Sequence, residues 1–85
     1  MKLVLITQYK ENYGYRWKNK GGWRYYLNFD MPENGQDEFI EDLLKKASER
    51  VEYKNEICEE YIIDWSITND ELQIGEFDEP IEILL

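Results

Sequence analysis

The sequence predicts an α+β domain, an antiparallel sheet of four to five strands with one amphipathic helix packed on one face. Three observations predict it. Residues 36–51 repeat apolar side chains at helical spacing. Residues 2–9, 23–29 and 61–67 carry them at period two or on both faces, as strands do. The 85 residues contain no repeat, low-complexity tract or linker, so a single domain, 1–85, accounts for the chain.

The first strand is read over residues 2–9. Leu3, Leu5, Thr7 and Tyr9 fall on one side and Val4, Ile6 and Gln8 on the other, which suits an interior strand. Residues 10–22 read as a long loop, because Asn12, Gly14, Asn19, Gly21 and Gly22 all favour turns. Residues 23–29 alternate strictly, with Trp23, Tyr25, Leu27 and Phe29 inward, and are expected to pair with the first strand.

The helix presents Phe39, Ile40, Leu43, Leu44, Ala47 and Val51 as one stripe. Asn34 reads as its N-cap. Asp37 and Glu38 in the first turn and Arg50 in the last suit the helix dipole. Glu41–Lys45 and Asp42–Lys46 are i,i+4 pairs in the favourable order. Residues 53–60 fit either a helix extension or a connecting strand. Beyond them Tyr61, Ile63, Trp65 and Ile67 alternate inward, and Asn69-Asp70 reads as a turn. A return strand through Leu72 and Ile74 follows, with a bulge at Gly75 shifting the phase to Phe77. Ile81, Ile83 and Leu85, after Pro80, read as an edge strand.

Composition narrows the chemistry. There is no histidine, which removes the commonest general base and the imidazole metal ligand. The one cysteine, Cys58, reads as a small, partly buried apolar residue. No metal site or cofactor is expected, and a binding protein is favoured over an enzyme. No apolar run is long enough to span a bilayer, and Met1 to Thr7 reads as a strand rather than a signal peptide. The expected location is the cytoplasm, with no membrane partner.

Net charge is −9, which repels nucleic acid at long range and attracts basic partners. It is unevenly distributed. Residues 1–33 hold six bases against three acids, a net of +3, and residues 34–85 hold four bases against sixteen acids, a net of −12.

Two constellations follow. On the helix, Glu38, Glu41, Asp42, Glu49 and Glu52 are predicted to form an acidic face, extended by Glu56, Glu59, Glu60 and Asp64. Carboxylates four apart on a helix lie about 6 Å from one another, close enough in spacing to a phosphate backbone to occupy a groove built for one. The bland alternative is a solvated face serving solubility. The second constellation is the aromatic and basic stretch 10–26. Its Tyr13, Tyr15 and Trp17 are less readily explained as core and are candidate contact anchors. Such interleaving also suits single-stranded nucleic acid, although the overall charge disfavours direct nucleic-acid binding.

The opening Leu3-Val4-Leu5-Ile6-Thr7-Gln8-Tyr9-Lys10-Glu11-Asn12-Tyr13-Gly14 resembles the N-terminus of small, mostly uncharacterised bacteriophage proteins. These begin with a short apolar strand, then Thr-Gln, two residues and Glu-Asn-Tyr-Gly. The resemblance implies a phage or mobile-element origin, hence work in a host cytoplasm. By analogy it implies an inhibitor of host defence, of anti-CRISPR or anti-restriction type. It brings no catalytic or binding residues with it.

The leading expectation is an acidic inhibitor, a DNA mimic, that docks into the basic groove of a host nucleic-acid-processing protein. A nucleic-acid or nucleotide-binding module using residues 10–26 is the alternative. A homodimer formed through a sheet edge or through Ile81–Leu85 is a third.

Overall fold

The structure is a computed structural model that describes residues 1–72 and 79–85. Its elements run β1 (Lys2–Asn12), β2 (Trp17–Asn19), β3 (Arg24–Asn28), α1 (Gln36–Val51), β4 (Tyr53–Lys54), β5 (Cys58–Thr68) and β6 (Ile81–Glu82). The strands form one sheet in the order β4-β5-β1-β3-β6, with β2 also paired to β1. β1 is central, as its two-sided apolar pattern required.

Among the described residues one helix on a sheet is therefore present, but the sheet is mixed rather than antiparallel throughout, and it has six strands. β5 ends at Thr68, and β6 pairs with β3 on the side away from β1. β6 runs parallel to β3, with Tyr25 opposite Ile81. The Ile83 N–H donates to the Tyr26 carbonyl at 2.8 Å. Period-two reading finds such a strand without giving its direction. Of the expected return strand, Ile74, Gly75 and Phe77 lie outside the described residues.

The core lies between α1 and the body of the sheet. Leu3, Leu5 and Leu27 meet Ile40, Leu43, Ala47 and Val51, and Ile83 closes one side. Each buried leucine contributes roughly 1.5–3 kcal/mol. The helix covers the predicted residues, but Gly35 rather than Asn34 is its N-cap. Gly35 has φ 67°, a left-handed turn that glycine enters without Cβ strain, and no side chain caps the helix there. The Gln36 side-chain amide donates instead to the Pro32 carbonyl at 3.1 Å.

A bulge in β5 changes the expected faces. Ile6 lies opposite Asp64 and Thr7 opposite Ile62, which leaves Ile63 as the extra residue. Trp65 and Ile67 keep the helix side, opposite Leu5 and Leu3. Below the bulge the phase inverts. Ile62 packs on the core, while Tyr61 turns to the helix-free face and donates to Gln8 Oε1 at 3.0 Å. The expected inward Tyr61 and Ile63 are thus displaced, because one extra residue flips every side chain beyond it.

β1 and β5 outrun the helix. The molecule measures 50 × 30 × 18 Å, with a radius of gyration of 14.5 Å. A compact chain of this length would have about 12 Å. The excess is an arm made of the distal halves of β1 and β5 together with β2 and β4.

Candidate functional site

The arm contains most of the stretch expected to be a loop. β1 continues through Asn12, turns over Tyr13–Arg16 and returns as β2, with Glu11 opposite Lys18. The chain then stays bonded to β1. Lys20 N–H donates to the Tyr9 carbonyl at 2.8 Å, Tyr9 N–H to that of Gly21 at 2.6 Å, and Thr7 N–H to that of Trp23 at 3.0 Å. Gly22 is required here, since a Cβ would lie 1.8 Å from the Thr7 carbonyl oxygen.

Asparagines secure the turns. Asn12 Oδ1 accepts from Gly14 N–H at 2.9 Å, and Asn19 Oδ1 from Gly21 N–H at 3.0 Å. Asn55 Oδ1 accepts from both Ile57 and Cys58 N–H groups, at 2.8 and 2.9 Å. Each carbonyl side chain takes the place of a backbone acceptor in a tight turn. Asn12 also joins the two hairpins, donating from Nδ2 to the Glu56 carbonyl at 3.0 Å.

The arm presents Tyr13, Tyr15, Trp17, Trp23, Tyr53 and Ile57 to solvent, with Tyr15 81% and Ile57 71% exposed. All three predicted anchors are therefore exposed. Trp23, read as inward, stands over Tyr9 with ring centroids 5.3 Å apart. Cations accompany the rings. Arg16 lies 5.6 Å from the Tyr15 centroid, Lys20 5.9 Å from Tyr13, Lys54 5.9 Å from Trp17 and Lys10 5.5 Å from Tyr61. Among the described residues, Lys54 alone of these cations has an ion pair, with Glu59 at 3.6 Å.

The predicted acidic face is redistributed. Glu38, Glu41, Asp42 and Glu49 are all exposed. Lys45 and Lys46 interrupt the series, and Lys46 pairs with Asp42 at 2.9 Å. Glu52 serves internally, its Oε2 accepting from Ile62 N–H at 2.8 Å. Glu60 does not belong to the face at all, being 4% exposed. Asp64 lies opposite Ile6 on the other side of the sheet. Glu56, in the turn between β4 and β5, and Glu59, on β5, belong to the arm, and Glu49 lies near the C-terminal end of α1. At the end of the molecule opposite the arm the first half of α1 crosses β5. There Met31, Gln36, Ile40, Leu44, Trp65 and Ile67 line a hollow of about 390 Å³ with Asp37 and Glu41 on it. Trp65 is 46% exposed in this hollow. Its inward period-two position concealed that in the sequence.

Between the two ends sits a buried polar group. Glu60 Oε2 accepts from Thr7 Oγ1 and from the Tyr25 hydroxyl, each at 2.8 Å. Burial, then the hydrogen bond to Glu60 and its charge, hold the Tyr25 phenol well above its ordinary pKa. Desolvation and a hydrogen bond with Cys58 push Tyr9 up to about 12, and the same causes raise Tyr53. These shifts keep phenols neutral and so do not activate a base. Among the described residues no group of three or more carboxylates and cysteine is arranged to hold a metal ion. No helix among them is long and apolar enough to cross a membrane. At the apolar C-terminus Ile83 is in the core, whereas Leu84 and Leu85 are exposed.

No protein-family model matches the chain, no curated protein matches its sequence, and no solved structure matches its fold.

Proposed function

We propose that this protein is a non-catalytic docking protein whose acidic end enters a basic groove of a nucleic-acid-processing partner and blocks it without turnover, as a phage-type inhibitor would. The observation that carries the reading is the hollow at that end. An exposed Trp65 with Met31 and Leu44 offers an apolar anchor site, and Asp37 and Glu41 add charge. Tryptophan in such a setting dominates many interfaces, while surrounding carboxylates set orientation and association rate. Glu38 and Asp42 extend the charge along the exposed side of α1.

The test is capture of partners from a host lysate over a salt series, comparing the native chain with Trp65→Ala and with Glu38→Lys/Glu41→Lys. Specific retention should fall by about tenfold or more with Trp65→Ala. Charge reversal should abolish it at low salt. Retention indifferent to both changes would dismiss the acidic end as the docking surface.

A further inference from the structure

We infer that the helix-free face of the arm binds single-stranded nucleic acid, at a site separate from the acidic end. Trp17 lies opposite Asn12, Lys10 opposite both Asn19 and Glu59, and Tyr61 opposite Gln8. Lys54 lies opposite Glu59 on the next strand. Cross-strand partners share a face. One strip across four strands therefore presents two rings, Trp17 and Tyr61, with Lys54 and Lys10 beside them. The amides of Gln8, Asn12 and Asn19 lie between.

Gln8 and Asn12 are four residues apart on β1, about 14 Å, and Trp17 and Tyr61 flank β1 on opposite sides, about 9–10 Å across the strands, so the two ring positions are about 17 Å apart. Rings held rigidly by a sheet, each with an ammonium group alongside, match what an unpaired strand offers. A base can stack on each ring, and the neighbouring phosphates can meet the lysines. Glu59 is the one carboxylate on the strip; Lys54 pairs with it at 3.6 Å but is exposed enough to turn to a phosphate, and the strip keeps a net charge of +1. At the tip, Tyr13 with Lys20 and Tyr15 with Arg16 repeat the pairing of ring and cation outside this strip.

The total charge of −9 does not forbid this. Screening confines an exposed charge to about 10 Å at moderate salt, and the molecule is 50 Å long. Charge complementarity favours a polyanion with planar groups over an acidic peptide, which would leave the rings without stacking partners.

The experiment is a fluorescence-anisotropy titration of the full chain with a labelled oligothymidylate of about 12 nucleotides, within the length such platforms cover, at about 50 mM salt. Saturable binding is expected. Trp17→Ala and Tyr61→Leu should each weaken it about tenfold. Lys10→Gln and Lys54→Gln should each reduce the slope of log affinity against log salt by about 0.7. Lys46→Gln, the same charge change on the helix, should leave binding as it was. Circular dichroism confirms that each variant is folded. Four results would overturn the inference. They are no saturable binding, equal affinity in Trp17→Ala, equal affinity for duplex, and equal competition by polyglutamate. No partner protein is needed, so failure here and failure of the acidic-end proposal are separate results.

Discussion

Replacing Glu60 should weaken the fold more than any surface carboxylate would, although it forms no ion pair among the described residues. Its carboxylate is 4% exposed and joins three strands, accepting from Thr7 on β1 and Tyr25 on β3 at 2.8 Å each. Thr7 Oγ1 in turn accepts from Trp23 N–H at 3.1 Å. Hydrogen bonds to a charged acceptor contribute about 1.5–3 kcal/mol each, and neutral ones about half that. Glu60→Gln keeps the shape and an acceptor but loses the charge, so a cost of about 1–2 kcal/mol is expected. Glu60→Ala strands two hydroxyls beside a cavity and should cost about 3–5 kcal/mol.

Urea unfolding at neutral pH measures both. With a slope near 1 kcal/mol per molar urea for so small a domain, Glu60→Gln should lower the midpoint by about 1–2 M. A double-mutant cycle with Tyr25→Phe should return a coupling of about 1 kcal/mol or more. Additive effects, or a Glu60→Gln midpoint equal to the native one, would refute the assignment of Glu60 as the acceptor that joins the strands.

Other predictions concern the core, the close approach at Gly22, the phenols and the surface. Leu5, fully buried, should lose about 2–5 kcal/mol on Leu5→Ala in the same assay. Gly22→Ala must push the 20–23 segment off β1, and hydrogen exchange should show the Tyr9 amide losing protection. The folded pKa values of Tyr9, Tyr25 and Tyr53 are raised. Their contribution is therefore full below the unfolded value of about 10 and is lost as pH rises through the folded values. Alkaline unfolding should begin above pH ~10, and ultraviolet titration should show these phenols ionising late. Asp42→Ala removes an exposed i,i+4 pair and should cost no more than about 0.5 kcal/mol.

How much of this was legible depended on whether a signal was local. The helix span was readable because six apolar residues repeat over 36–51 and nothing interrupts them. The centrality of β1 followed from apolar residues on both faces. The bulge at Ile63 was not readable, because the alternation from Tyr61 to Ile67 is unbroken in sequence. It exists because Thr7 must meet Ile62, a constraint from a strand more than fifty residues away. The same distance effect hid Glu60, an acid in a run of acids, whose burial depends on Thr7 and Tyr25. Residues 10–22 read as a loop because turn formers are dense there. Their asparagines and glycines do make turns, but the turns close a hairpin onto β1. The Glu11-Asn12-Tyr13-Gly14 phrase has a local meaning of this kind. Asn12 binds the Gly14 N–H, and Gly14 takes φ 91°, which a larger residue would enter with strain.

The arm is the hardest feature to explain by stability. A domain this small gains by shortening what lies outside its core, because each ordered residue costs roughly 1–2 kcal/mol of backbone entropy. The arm's rings recover little of that cost, since Tyr13, Tyr15 and Trp17 remain in water. Yet its order is heavily specified. Three asparagines close its turns, Gly22 permits a backbone approach that no other residue allows, and Asn12 ties the two hairpins together. Solubility alone would call for charges without rings. A chain that orders exposed aromatic and cationic groups to this degree reduces the entropy that a partner's binding would otherwise have to overcome. The acidic end differs in kind, offering one half-exposed tryptophan in a hollow with carboxylates beside it. The two ends of the 50 Å molecule thus differ in what they expose, rings beside lysines and an arginine at one and a tryptophan beside carboxylates at the other.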